Sequence, residues 1–234
     1  MSGLRAAMVL AAGFGTRMRP LTDHRPKALL AVAGRTLLDR AIDVCAAGGA
    51  GRVVVNVHYL ADQVRAHLAR RTAPEIVISD ESDAILETGG GLRRALPLLG
   101  AAPFLAVNAD AVWTGPAPAP ALAQAWDGAR MDALLLLARR EDALAYARAG
   151  DFWLGPDGRP ARRSGDSAPF VYTGAQIVAP RAFDDAPEGA FSMNLIWDRL
   201  LARGRLFAVV HRGGWVDVGT PEGLAVADAA LRGA

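Results

Sequence analysis

Between Ala6 and Ser79 the chain alternates twice between strand-like apolar runs and stretches of helical periodicity. The runs Ala6 to Leu10, Arg52 to Val57 and Glu75 to Ser79 are short and rich in apolar or β-branched residues. In the first intervening stretch, Leu37, Leu38, Ala41, Ile42 and Cys45 share one helical face, with Thr36 placed to cap it and Gly48-Gly49 to end it. In the second, Leu60, Val64 and Leu68 recur at four-residue spacing, with Asp62, Arg65 and Arg71 off that face. Strand, helix, strand, helix, strand is the rhythm of a doubly wound α/β layer, whose ligands lie beyond the C-terminal ends of its strands. A chain of 234 residues with 52% hydrophobic content can bury one full core of this kind.

The connection after the first run therefore matters most. Leu10 to Lys27 reads LAAGFGTRMRPLTDHRPK, and Gly13 and Gly15 are free to take positive φ and bring backbone amides around a phosphate. Arg17, Arg19, Arg25 and Lys27 add positive charge, which makes the loop a candidate triphosphate cradle. Two other phosphate loops fail at named residues. A Walker loop ends in Gly-Lys-Ser/Thr, whereas Lys27 stands between Pro26 and Ala28. A dinucleotide fingerprint needs a third glycine where this chain has Met18.

Further along, Glu87-Thr88-Gly89-Gly90-Gly91 precedes the helical run Leu92 to Leu99, so its amides are expected at a helix start, where they can meet anions or base carbonyls. Phe104 to Val107 is a fourth strand, with Asn108 and Asp110 at its end. Thr114 to Pro120 is too proline-rich for a ladder and is expected to be an exposed crossover, followed by a helix near Ala121 to Trp126. Met131 to Ala138 and Phe170 to Val178 read as strands. Asp151 to Arg163 reads as a hairpin around Gly155-Pro156-Asp157-Gly158. Gly174, inside a strand, marks either close ligand approach or a bulge. The helix Asn194 to Ala202 shows a candidate core face of Leu195, Ile196, Leu200 and Leu201, and Leu206 to Val210 is a last long strand. Thr220 and Pro221 are placed to cap and open a closing helix after Asp217. Taken singly, Asp110 and Asp217 read more readily as structural turn residues, and only as a pair at separate strand ends beside the basic glycine loop do they point to a metal.

The pattern Gly13-Phe14-Gly15-Thr16-Arg17-Met18-Arg19-Pro20-Leu21-Thr22, closed by Pro26-Lys27, resembles the signature of the sugar-1-phosphate nucleotidyltransferases. The likeness continues through Leu86 to Gly91, Val107 to Asp110, Tyr172 to Gly174 and Trp215 to Glu222. The short length and the Leu-Glu-Thr-Gly-Gly-Gly segment are most similar to the branch that uridylylates N-acetylmuramate 1-phosphate in cell-wall recycling. This resemblance implies a Rossmann-like, doubly wound mixed sheet flanked by helices, with a small β-rich sugar-binding lobe. It implies one domain over residues 1–234, with 1–130 mainly on the nucleotide side and 131–234 mainly on the sugar side. It also implies transfer of a nucleotidyl group from a nucleoside triphosphate such as UTP to a sugar 1-phosphate, with release of pyrophosphate.

By the same resemblance, Arg17 and Lys27 are catalytic, and Leu10, Ala11, Ala12, Gly13, Gly15, Thr16, Arg17, Glu81, Thr88 and Gly89 bind the nucleotide. Lys27, Asn108 and Gly174 meet the sugar phosphate, and Asp110 and Asp217 hold Mg²⁺, a hard ion suited to carboxylates. Most relatives have Gly where this chain has Glu87. Relatives that carry a substrate-binding Glu before the next strand differ here, where Arg162, Arg163 and Ser164 stand instead; either arginine can pair with a carboxylate on the sugar. Guanylyl, cytidylyl or adenylyl transfer to mannose or heptose phosphate keeps the same chemistry, and a catalytically silent nucleotide-sugar-binding regulatory subunit is the reading from another class.

Composition excludes other classes. The net charge of +2 carries no basic stripe for a nucleic-acid polymer. The lone Cys45 excludes an internal disulfide, and the histidines at 24, 58, 67 and 211 lack metal-ligand spacing. No apolar stretch is long enough for a membrane span. The expectation is a cytoplasmic monomer or homodimer.

Overall fold

Successive residues of β1 (Ala6–Leu10) face opposite sides of a sheet: Ala7 and Val9 join one apolar cluster and Met8 the other. The same alternation runs through β4 (Arg52–Val57), where Val53 and Val55 face the first cluster and Val54 the second. A sheet buried on both faces needs helices on both. In this computed structural model, which describes residues 4–233, α1 (Leu37–Ala47), α2 (Ala61–Leu68) and α4 (Pro118–Ala125) cover the first face. The second is covered by α3 (Glu87–Leu99) and α5 (Met193–Ala202). Cys45 is buried in the first cluster, and burial pushes its thiol pKa far up.

β5 (Glu75–Asp80), β4, β1 and β6 (Phe104–Asn108) are parallel neighbours in the order β6-β1-β4-β5. The long β12 (Phe170–Val178) runs antiparallel to β6 and also pairs with β8 (Ala133–Arg139), which carries the parallel β13 (Leu206–Val210). The hairpin of β10 (Phe152–Leu154) and β11 (Pro160–Arg162) attaches to the start of β12 through Phe152 and Phe170. The result is a mixed sheet of nine strands with a parallel centre, so the β-rich lobe continues the main sheet.

A second sheet of three strands is decisive for the site. It consists of β7 (Ala111–Trp113), β14 (Trp215–Asp217) and β9 (Ala143–Leu144). The short hairpin β2 (Ala31–Val32) and β3 (Arg35–Thr36) leads into α1, whose Thr36 side chain accepts the Asp39 N–H as predicted. Thr220 likewise caps α6 (Pro221–Arg232) through the Gly223 N–H.

Three expectations are corrected. The helix placed at Leu92 begins at Glu87, with the glycines in its first turns. The crossover is not exposed throughout: Pro118 opens α4 at a position where its missing N–H costs little, and Pro118 and Ala119 are buried, while Gly115 to Ala117 and Pro120 are exposed. The buried face of α5 is Met193, Ile196, Trp197 and Leu200, a set one helical stripe wide, which leaves Leu195 on the exposed side. Among the described residues no helix is long and apolar enough to cross a membrane.

Candidate active site

The basic loop leaves β1 at the carboxyl edge of the sheet. Gly15 adopts the left-handed conformation (φ 64°, ψ 32°) and presents its carbonyl to the Thr22 hydroxyl at 2.9 Å. A Cβ at Gly15 would lie 2.9 Å from the Lys27 Cβ, so the loop closes on itself only because that side chain is missing. Gly13 does not take positive φ, and a Cβ there would meet no protein atom within 4 Å. Gly13 therefore borders open space in the cavity.

Met18, the residue that breaks the dinucleotide fingerprint, is fully buried against Val112, Val216, Val218 and Leu30. It anchors the loop to the small sheet and so sets Arg17 near Asp217. A Cβ on Gly219 would touch both the Arg17 guanidinium (3.0 Å) and Asp217 Oδ1 (3.1 Å). Of the four cations expected in the cradle, Arg17 and Lys27 line the cavity. Arg19 turns outward to Asp23 at 3.3 Å, and Arg25 is exposed.

The two candidate metal aspartates lie far apart in sequence and are joined by β pairing. Asp217 stands opposite Ala111 in the β14–β7 ladder, and the Val218 N–H donates to the Asp110 carbonyl at 3.1 Å. Burial, and next the Asp110 carboxylate, raise the Asp217 pKa, opposed by Arg148, Lys27 and Arg17. Lys27 Nζ donates to Asp110 Oδ2 at 2.7 Å, and the Arg148 guanidinium lies 3.3 Å from Asp217 Oδ2. Two adjacent hard oxygen donors fit a divalent ion that completes its shell with phosphate and water. Among the described residues no group of three or more His, Cys, Asp or Glu is assembled for a metal, which excludes an all-protein cage there.

Two cavities meet at this point. The first, about 320 Å³, is lined by Leu10 to Gly13, Gly15, Thr16, Arg17, Lys27, Asn56, Glu81, Glu87, Thr88, Asn108, Asp110 and Gly219. The second, about 330 Å³, contains Gly174 and Asp217 and shares Arg17, Thr88, Asn108 and Asp110 with the first. Every residue given a catalytic, nucleotide, sugar-phosphate or metal role by the resemblance, except Gly89, thus lines one or both. Gly89 is spent elsewhere: the Gly89 and Gly90 N–H groups both donate to the Phe191 carbonyl (2.8 and 3.1 Å). A Cβ at Gly89 would lie 2.4 Å from the Phe191 ring, and one at Gly91 would lie 2.9 Å from Glu81 Oε1. The triple glycine lets the start of α3 press against the 189–193 segment and against Glu81.

Glu81 is 1% exposed, and its burial raises its pKa. Asn56 Nδ2 donates to its Oε1 at 2.9 Å while Asn56 Oδ1 accepts the Ala11 N–H at 2.7 Å. This relay pins the first turn of the loop. Asn56 was missed in the sequence, although a lone amide inside Arg-Val-Val-Val-Asn-Val was its signal. Glu87 holds a positive φ of 57°, which is why glycine suits that position. At Gly174, φ is 86° and the β12–β8 register shifts, so the bulge is real; the close neighbour is the Asn108 side chain, at 3.0 Å from a would-be Cβ. Arg148, Asp151, Trp197 and Asn194 also line the second cavity and carry no local sequence signal. Arg162 lines it as well, whereas Arg163 is exposed and donates to the Gly165 carbonyl.

A mixed sheet with a parallel centre, whose first loop is basic and glycine-rich and brings Lys27 and Arg17 beside Asp110 and Asp217 where two cavities meet, has the architecture of a nucleotidyltransferase of the α/β class. The chain belongs to the MobA-like NTP transferase domain family, matched over residues 7–207. It is 47% identical to the N-acetylmuramate alpha-1-phosphate uridylyltransferase of Caulobacter vibrioides, over 97% of each chain. It is 36% identical to the enzyme of the same name from Neisseria meningitidis serogroup B, over 92% of this chain and 93% of that one. Its fold matches that of a UDP-glucose pyrophosphorylase in complex with UDP-glucose, with a TM-score of 0.80 at 15% identity, over 98% of this chain and 99% of that one.

Proposed function

We propose that this chain is a uridylyltransferase that joins UTP to N-acetylmuramate 1-phosphate and releases pyrophosphate, giving UDP-N-acetylmuramate. One observation carries the reading: Arg17, Thr88, Asn108 and Asp110 line both cavities, so a nucleotide in one and a sugar phosphate in the other would meet at them. Near-full-length identity to the Caulobacter uridylyltransferase supports the choice of base and sugar. In this reading residues 1–130 of a single domain form most of the nucleotide side and residues 131–234 most of the sugar wall. The substrates are metabolites of the cytoplasm, where the enzyme would act as a monomer or homodimer in peptidoglycan recycling.

The reaction is an in-line displacement at the α-phosphorus by an oxygen of the sugar phosphate. Both partners are anionic, so the protein's task is alignment and charge neutralisation, and no side-chain nucleophile is required. The backbone from Leu10 to Thr16 would cradle the phosphates. Arg17 would face the departing pyrophosphate, and Lys27 would draw the reacting phosphates together. Asn108 would orient the sugar phosphate, with Gly174 leaving room for the Asn108 side chain. Glu81 and Thr88 would line the base, and Gly89 would act by letting α3 approach closely. Asp110 and Asp217 would hold Mg²⁺, which would supply positive charge at the reacting phosphates.

Pyrophosphate release from UTP, GTP, CTP and ATP, each with N-acetylmuramate, N-acetylglucosamine, mannose and heptose 1-phosphates, tests the reading. UTP with N-acetylmuramate 1-phosphate is expected to give the highest kcat/KM, dependent on Mg²⁺. A faster pair would move the activity to another branch, and absence of turnover with every pair would leave a regulatory nucleotide-sugar-binding protein.

A further inference from the structure

The sugar cavity contains three arginines, and they do not sit in equivalent places. Arg17 is shared with the nucleotide cavity, and Arg148 reaches Asp217, so both belong to the phosphate end. Arg162 has other partners. It ends β11, opposite Phe152 in the hairpin register, on the wall formed by β10, β11 and α5. Its guanidinium lies 5.0 Å from the centre of the Phe152 ring and 5.6 Å from that of Trp197. Nε donates to Asp198 Oδ1 at 2.8 Å, and Nη2 donates to the Asn194 carbonyl at 3.2 Å. Among the described residues Nη1 has no hydrogen-bond partner. A planar fork held on two edges by a carboxylate and a carbonyl, and on its face by two rings, is ordered before a ligand arrives.

We propose that Arg162 is the residue that selects a sugar 1-phosphate bearing a second, non-phosphate carboxylate, and that its guanidinium pairs with that carboxylate. The inference rests on the functional reading above, in which the sugar is N-acetylmuramate. That sugar is N-acetylglucosamine with a lactyl ether on the third ring carbon, two carbons from the phosphate-bearing one. Asp110, Asp217 and Arg162 line the same cavity, so a sugar held by its phosphate at the two aspartates would have Arg162 in the wall around its ring. The guanidinium presents a charge-assisted donor to it. An uncharged hydroxyl at the same carbon leaves that donor with a weaker partner, which is the physical basis of discrimination between the two sugars. Arg163, next in sequence, is outside the cavity and plays no part in the selection.

The test is the ratio of kcat/KM for N-acetylmuramate 1-phosphate to that for N-acetylglucosamine 1-phosphate, with UTP, in the full chain. Arg162→Met keeps an apolar stem against Phe152 and Trp197 and removes the charge. Its ratio is expected to fall ~30- to 100-fold, chiefly through a raised KM for N-acetylmuramate 1-phosphate. Arg162→Lys retains charge without the planar fork and should fall in between, and it keeps the test available if Arg162→Met melts early. Arg163→Met should leave the ratio where it is. Equal losses for both sugars, or an unchanged ratio in folded Arg162→Met or Arg162→Lys, would overturn the proposal and make the arginine a structural clasp between β11 and α5. Failure of wild-type enzyme to use N-acetylmuramate 1-phosphate would instead overturn the functional reading, and with it this inference, so the two failures are told apart by the wild-type measurement alone.

Discussion

The two cavities that meet at Asp110 are built in contrasting ways. The nucleotide side takes half of its lining residues from the two ends of one loop, Leu10 to Arg17 and Lys27-Ala28, and much of that lining is backbone or small side chain. Its shape is set by a few tight contacts: Gly15 against Lys27, Met18 in the core, and the buried Glu81–Asn56 pair holding the Ala11 N–H. The sugar side is assembled from side chains on β10, β11, β12, β14 and α5, with arginine, aspartate and aromatic rings prominent. Triphosphate recognition needs many amides converging on one polyanion, which one folded-back loop supplies most economically. Recognition of a sugar needs individual polar groups at separate ring positions, and those are easiest to place from several elements.

The largest expected effect lies where the two sides join. Lys27→Ala, Asp110→Ala and Asp217→Ala should each lower kcat by at least ~10²–10³, the usual cost of removing one charged group that stabilises a transition state, with little change in circular dichroism. A folded variant with near-normal turnover would remove that residue from the proposed chemistry. A pair of glycines on the nucleotide side comes next. Gly15→Ala places a Cβ at 2.9 Å from Lys27 in a left-handed backbone and should cost about 1–3 kcal/mol of stability together with much of the activity. Gly13→Ala meets no protein atom, so its melting temperature should stay put while the KM for the nucleoside triphosphate rises. If both variants melt alike, the division between a structural and a ligand-facing glycine is wrong.

The smallest effect concerns Glu87, an exposed side chain on a left-handed backbone at the rim of the nucleotide cavity. Glu87→Gly relieves strain of up to about 1 kcal/mol and should raise the melting temperature by ~2–4 °C. If the carboxylate is kept there to contact the nucleotide, the KM for UTP rises at the same time. A lower melting temperature would show instead that the side chain supports the start of α3.

Much of the framework was legible because it depends on local period. The β-branched run Arg52 to Val57 and the stripe of Leu37, Leu38, Ala41, Ile42 and Cys45 can be buried in only one regular conformation each, and both formed as expected. The stripe chosen for α5 was wrong at Leu195, since the hydrophobicity of a residue does not say which side of its helix meets the sheet. The same limit hid the purpose of Gly89 to Gly91. A glycine is silent about whether a ligand or its own protein needs the space, and here Phe191, Gly189 and Glu81 take it. Arg162 and Arg163 differ only in which face of the chain they occupy at the end of β11.

The order of residues by itself determined a parallel α/β core, a basic glycine loop at its edge and a set of charged residues suited to joining two phosphates. Tertiary structure alone decided which of them act together. Asp217 reaches Asp110 because β14 pairs with β7, and Arg17 comes near Asp217 because Met18 is buried beside that ladder. Periodicity and turn chemistry report interactions within a few residues. Contacts between distant strands depend on how whole faces pack, and no short stretch of sequence contains that information.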